Sequence, residues 1–205
     1  MIAVPDSAKT HTQELLQVPA AGLDSSPRQN IESGVPGILL NLMTMRHEVS
    51  DAALAEKTLQ SGSASSQVIV LLAKGDLRAA SELVAETRLN DPQNFVMRVL
   101  DTSLTRAGGD FARATKRLRA LLTEFKGTEH ESILQQHLGF AYVESGDLLA
   151  GANRFGKALD LRTAEGADTH LIESSRACLE AVTARIPAQH TGEHAGQIPG
   201  ADAAR

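Results

Sequence analysis

The residues best suited to chemistry form short, isolated groups. Gly151-Ala152-Asn153-Arg154-Phe155-Gly156-Lys157-Ala158 falls one residue short of G-x-x-x-x-G-K-[ST], in which backbone amides cradle phosphate and a hydroxyl holds magnesium. Ala158 lacks that hydroxyl, and the segment continues a helical pattern where a phosphate loop needs a preceding strand, so nucleotide binding is not expected. His190-Thr191-Gly192-Glu193-His194 fits the H-x-x-E-H zinc-peptidase spacing. That site requires a rigid helix to bring both imidazoles to one face, and Gly192, Gly196 and Pro199 oppose one, so a solvated tail is expected. Cys178 is the chain's single cysteine and has no internal disulfide partner; in an apolar helical pattern it reads as a small core residue. His11, His47, His130, His137 and His170 are dispersed, without ligand or triad spacing, and read as surface or loop positions. No acid, base, nucleophile or metal set converges, so no catalysis, cofactor or metal is expected.

Arg113, Lys116, Arg117, Arg119 and Lys126 form a basic run that reads as a solvated helix face, partly offset by Glu124, or as a guide for an acidic segment of a partner. The whole chain has a formal charge of −5, which speaks against nucleic acid as a ligand. Asp6 precedes the first basic residue, Lys9, and no apolar run approaches the roughly 20 residues that span a bilayer, so a cytoplasmic protein without membrane insertion is expected.

The elements that must position these residues are helical. Six of the seven prolines lie towards the ends (Pro5, Pro19, Pro27, Pro36, Pro187 and Pro199), leaving only Pro92 between. Residues 1–34 and 187–205 are expected to be disordered tails. Three Gly-Asp dipeptides, Gly75-Asp76, Gly109-Asp110 and Gly146-Asp147, recur at intervals of 34 and 37 residues. Each is placed to end one helix with glycine in the left-handed conformation and to cap the next with aspartate. A small residue follows each glycine by five positions (Ala80, Ala114, Gly151), and a large apolar one follows four later (Val84, Leu118, Phe155), which predicts close helix packing on one face. The pattern predicts helices over 64–74, 76–89, 94–107, 110–125, 131–145, 147–163 and 169–186. The three surplus residues of the second interval are assigned to an enlarged loop around Gly127-Thr128-Glu129-His130. An N-terminal helical pair is expected over 35–62, from Gly37–Glu48 and Asp51–Gln60, with Ser50 as N-cap.

Leu138-Gly139-Phe140-Ala141-Tyr142, followed by Gly146, Gly151, Phe155 and Ala158, resembles the tetratricopeptide (TPR) consensus, and Asn90-Asp91-Pro92 resembles its closing proline. The middle unit carries Asp101-Thr102 in place of Leu-Gly. The resemblance implies an all-α, right-handed superhelix of about three helical hairpins over 63–186, with 169–186 as a capping helix. It further implies a concave groove that binds a polypeptide. The family's groove positions fall on Ser66, Ile69, Leu72, Val96, Val99, Ser103, Arg106, Ile133, Gln136, His137, Phe140 and Glu144. Ile69, Leu100 and His137 stand where a carboxylate clamp would need Lys, Asn or Arg, so an apolar or amphipathic segment is the expected ligand. This implies an adaptor or scaffold. The alternatives are a bacterial secretion-type chaperone shielding an apolar client, or a structural subunit, open to homo-oligomerisation, whose groove holds its own N-terminal segment, for instance Leu15-Leu16-Gln17-Val18.

Overall fold

The computed structural model describes residues 28–187. It is predominantly helical, with eight helices and one small sheet among those residues. The helices are α1 (Ala52–Ser61), α2 (Ala64–Lys74), α3 (Leu77–Asn90), α4 (Phe95–Ala107), α5 (Phe111–Glu124), α6 (Glu131–Glu144), α7 (Leu148–Ala164) and α8 (Thr169–Thr183). From α2 to α8 each helix packs on the next, and α2 also meets α4, as α4 meets α6.

The Gly-Asp turns are built as their chemistry requires. Gly75, Gly109 and Gly146 adopt φ of 76°, 86° and 89°, a region that costs a residue with a Cβ. Asp76, Asp110 and Asp147 each accept a hydrogen bond from the backbone amide three residues on, which satisfies a donor the new helix leaves open. The two unequal intervals follow from element lengths. The loop 125–130 is longer than the loop 91–94, and α6 has 14 residues where α4 has 13.

Between α6 and α7 glycine sets the packing distance. A Cβ on Gly139 would lie 2.4 Å from Phe155 Cε1, and one on Gly151 would lie 2.5 Å from Val143 Cγ2. The aromatic ring of α7 therefore rests directly on the backbone of α6. Ala80, Ala114, Val84, Leu118 and Phe155 are all buried, as the small–large spacing predicts.

Residues 35–50 depart from the expected helical pair. They supply two strands of an antiparallel sheet of β1 (Asn30–Glu32), β2 (Ile38–Asn41) and β3 (Arg46–Val49), with β2 in the centre. Asn30 pairs with Asn41, and Asn41 with Arg46. Gly37 has φ 78°, and a Cβ there would stand 2.6 Å from Asp51 O, so the backbone turns where a helix would have run. The Asn41 side chain accepts from Met43 N and Thr44 N at 2.8 and 3.0 Å, offering the chain a turn in place of a helical ladder. Ile38, Leu40 and Leu42 are buried at a period of two, the strand period. α1 forms as expected, but its N-cap is Asp51, which accepts from Ala53 N and Leu54 N, rather than Ser50. Strand β1 also lies inside the stretch expected to be a disordered tail. Residues 1–27 and 188–205, with Leu15–Val18 and the His190–His194 pattern, lie outside the described residues.

Candidate functional site

The first helices of the hairpins, α2, α4 and α6, form a row that α8 extends, and the sheet lies across it. Val35 and Ile38 cluster with Val70, partly buried Ile69 and α1. Leu40, Leu42 and Met45 cluster with Phe140 and Val143 of α6 and with Ala177, Cys178 and Val182 of α8. Met45 is fully buried and has φ 55°, an uncommon conformation for a residue with a flexible chain, which the surrounding packing sustains. Burying Ile38, Leu40, Leu42 and Met45 contributes roughly 1.5–3 kcal/mol each, so the sheet is an integral layer of the core.

A charged cluster ties the sheet to the helices. Arg106 of α4 donates to Met45 O at 3.2 Å and is paired with Glu144 of α6. Arg46 of β3 donates to the other oxygen of Glu144 at 2.7 Å. One carboxylate thus serves two guanidiniums, one from the helical row and one from the strand. Burial pulls Arg106 below the usual arginine value, and Glu144 pulls it back. Charge assistance from both sides keeps the buried pair satisfied. Beside it, a cleft of about 390 Å³ opens between Thr44–Glu48, the end of α2 and the end of α4, lined by Leu72, Lys74 and Ser103 among others.

His47 and His137 flank the cluster. Burial first and the Arg106 charge second lower His47 to about 4, and the same causes, with smaller contributions from His47 and Arg162, lower His137 to about 3. Ser103 Oγ lies 3.4 Å from His137 Nδ1. The pair has the composition of a nucleophile and a base, but an imidazole held so far below neutrality is a weak proton acceptor. Ser103 is itself buried. The two residues read as a packing contact across α4 and α6.

A second polar group joins α6 and α7 to α8. Arg162 donates to Leu171 O at 2.8 Å and to Ser175 Oγ at 2.7 Å; Ser175 donates to Gln136 Oε1 at 2.8 Å, and Gln136 Nε2 donates to Cys178 Sγ at 3.4 Å. Burial pushes the Cys178 thiol up to about 12, the state of an unreactive core cysteine.

The expected groove positions therefore divide into four groups. Ile69, Arg106, Phe140 and Glu144 meet the sheet, and Leu72 lines the cleft beside it. Val99 belongs to the core between α4, α5 and α6, packed with Leu118 and Leu134. Gln136, Ser103 and His137 bond to side chains of neighbouring helices. Ser66, Val96 and Ile133, nearer the helix starts, keep partial exposure, and Val96 is 47% exposed. Sequence reasoning missed Met45 and Arg46, by which the strand segment engages the row, and assigned to surface or loop His47 and His137, which burial and the Arg106 charge affect. The signal of the strand segment was the apolar run after Gly34-Val35-Pro36-Gly37, a short stretch bounded by turn residues.

The other chemical candidates resolve simply. Gly151–Ala158 lies inside α7 with Lys157 exposed. Arg117 of the basic run meets Asp101, and Arg119 donates to Tyr142 Oη, while Arg113, Lys116 and Lys126 are exposed. Among the described residues, no group of three or more His, Cys, Asp or Glu side chains is placed to hold a metal, and no helix is long and apolar enough to cross a membrane. The chain matches no protein-family model, no curated protein and no solved structure.

Proposed function

We propose that this chain is a TPR-like, non-catalytic binding module that holds a polypeptide partner along the part of its first-helix row that its own sheet leaves open. The observation carrying this reading is the docked segment 35–49 itself. A short extended stretch lies on the row, held by alternate apolar side chains and registered by one arginine on Glu144. A surface with these properties favours an extended or amphipathic segment. The three Gly-Asp units and the close Gly139–Phe155 approach support a right-handed stack of hairpins as the scaffold. Because the sheet occupies the C-terminal halves of α2, α4 and α6, the partner engages the region of Ser66, Val96 and Ile133. A cytoplasmic adaptor or scaffold role fits this arrangement better than a chaperone, whose client would need the whole row open.

The test is site-specific photo-crosslinking in the native extract, with a photoreactive phenylalanine analogue at Val96 or Ile133 and a control at Leu89, which is 82% exposed on the neighbouring α3. One discrete adduct at positions 96 and 133, absent at 89, is expected. Equal labelling at all three sites, or at none, would remove the reading.

A further inference from the structure

Where the sheet meets α8, the helix and the β2–β3 turn enclose an apolar groove of about 620 Å³. Its floor is Leu42, Ala177 and Ala181, and Met43 stands on its wall, 51% exposed. A methionine that exposed beside a row of alanines leaves an uncovered apolar surface in the chain as described. Arg28, Arg176 and Arg185 lie on the rim; Arg185 donates to Met43 O at 3.0 Å, which holds the turn against α8.

Arg28, the first described residue, lies on the rim of this groove. Of the 27 residues before it, Leu15-Leu16-Gln17-Val18-Pro19-Ala20-Ala21-Gly22-Leu23 is an almost wholly apolar stretch, bracketed by Glu14 and Asp24. Leu23 is five residues from Arg28, a reach of up to about 17 Å. We propose that residues 14–24 of the same chain dock in the α8 groove, with Leu15, Leu16, Val18 and Leu23 on the alanine floor and Glu14 and Asp24 towards the arginine rim. The floor accepts aliphatic side chains because alanine leaves room for them. The rim carries three arginines against Glu173 and Glu180, so the flanking carboxylates meet an excess of positive charge. Tethering keeps the segment at an effective concentration of about millimolar, so modest apolar burial is enough to hold it. The inference is independent of the partner proposed for the first-helix row, which lies on α2, α4 and α6.

The experiment compares amide resonances of the full chain with those of L15D/L16D/L23D, a variant that changes nothing in the described elements. Shifts confined to Met43, Ala177, Ala181, Ala184 and their neighbours are expected, with unchanged thermal unfolding. A synthetic peptide of residues 12–26 added to the variant should restore the original positions progressively as it reaches the millimolar range. Unchanged α8 resonances in the variant would overturn the proposal. So would shifts that accompany a halving of mass in sedimentation, which would make a second copy the occupant, or shifts that the peptide fails to reverse.

Discussion

The helical stack and the sheet solve the same problem, the burial of Leu, Val and Ile side chains, with opposite kinds of instruction. In the stack the three Gly-Asp turns are written locally: glycine in the left-handed region, aspartate accepting from the amide three residues on, and a small residue where two helices touch. In the sheet the local instructions are thin. Three strands of three or four residues have few ladder bonds and would be marginal by themselves. They persist because Ile38, Leu40, Leu42 and Met45 are buried on helices that follow them in sequence, from α1 to α8. Local capping can therefore be disturbed at modest cost, whereas disturbing the contacts between the two regions is expensive.

The largest expected effect is on the junction. Glu144→Ala leaves Arg106 buried without its counter-charge and should cost about 3–5 kcal/mol in denaturant unfolding, with Glu144→Gln costing less because an acceptor remains. A loss below about 1 kcal/mol would mean that the sheet is held by apolar contact alone. Next is Leu40→Ala, predicted to destabilise by about 2–5 kcal/mol. If the sheet is integral, circular dichroism and hydrogen exchange at β2 will report one shared transition; earlier exchange at β2 with an unchanged helical midpoint would separate the two regions.

Within the stack, Gly139→Leu forces a side chain into Phe155 and should cost about 1–3 kcal/mol, with Ala114→Leu in the same range. Unchanged melting temperatures for both would undermine the packing at these turns. Asp110→Ala removes one cap and should cost about 1 kcal/mol, a local loss that leaves exchange at β2 unaffected relative to the rest.

Acid adds a gentler test of the junction. His47 and His137 have folded values of about 4 and about 3, below the ordinary 6.5, so unfolding takes up protons as pH falls. Their contribution is complete above about 6.5 and is lost progressively as pH falls through about 4 and then about 3. Arg106, Arg46 and Glu144 face the same cluster, and Arg162 adds its charge at His137. The denaturation midpoint should fall with pH over this window, and a His47→Asn, His137→Asn chain should show a shallower dependence.

Phe140 illustrates the limit of sequence reading. Its spacing from Gly139 and Tyr142 placed it on the first helix of a unit, facing the row, and it is there; what the row faces was invisible, because Met45 and Leu40 lie about 100 residues earlier. The sequence predicts helix over residues 38–43 because six consecutive residues dominated by Leu, Ile and Met satisfy a helical period as readily as a strand period. The deciding features were Gly37, which must pass close to Asp51, and Asn41, whose side chain closes a turn.

Helix boundaries from α2 to α8, with the caps and small–large packing pairs of α3, α5 and α7, were determined by the sequence itself, since each depends on residues within one or two turns of one another. The tertiary structure alone decided that residues 30–49 fold as strands over the first-helix row, that Glu144 answers both Arg46 and Arg106, and that Val99 is core. Those outcomes depend on which apolar surface is left unpaired once the helices have stacked, a property of the assembled chain that no local window contains.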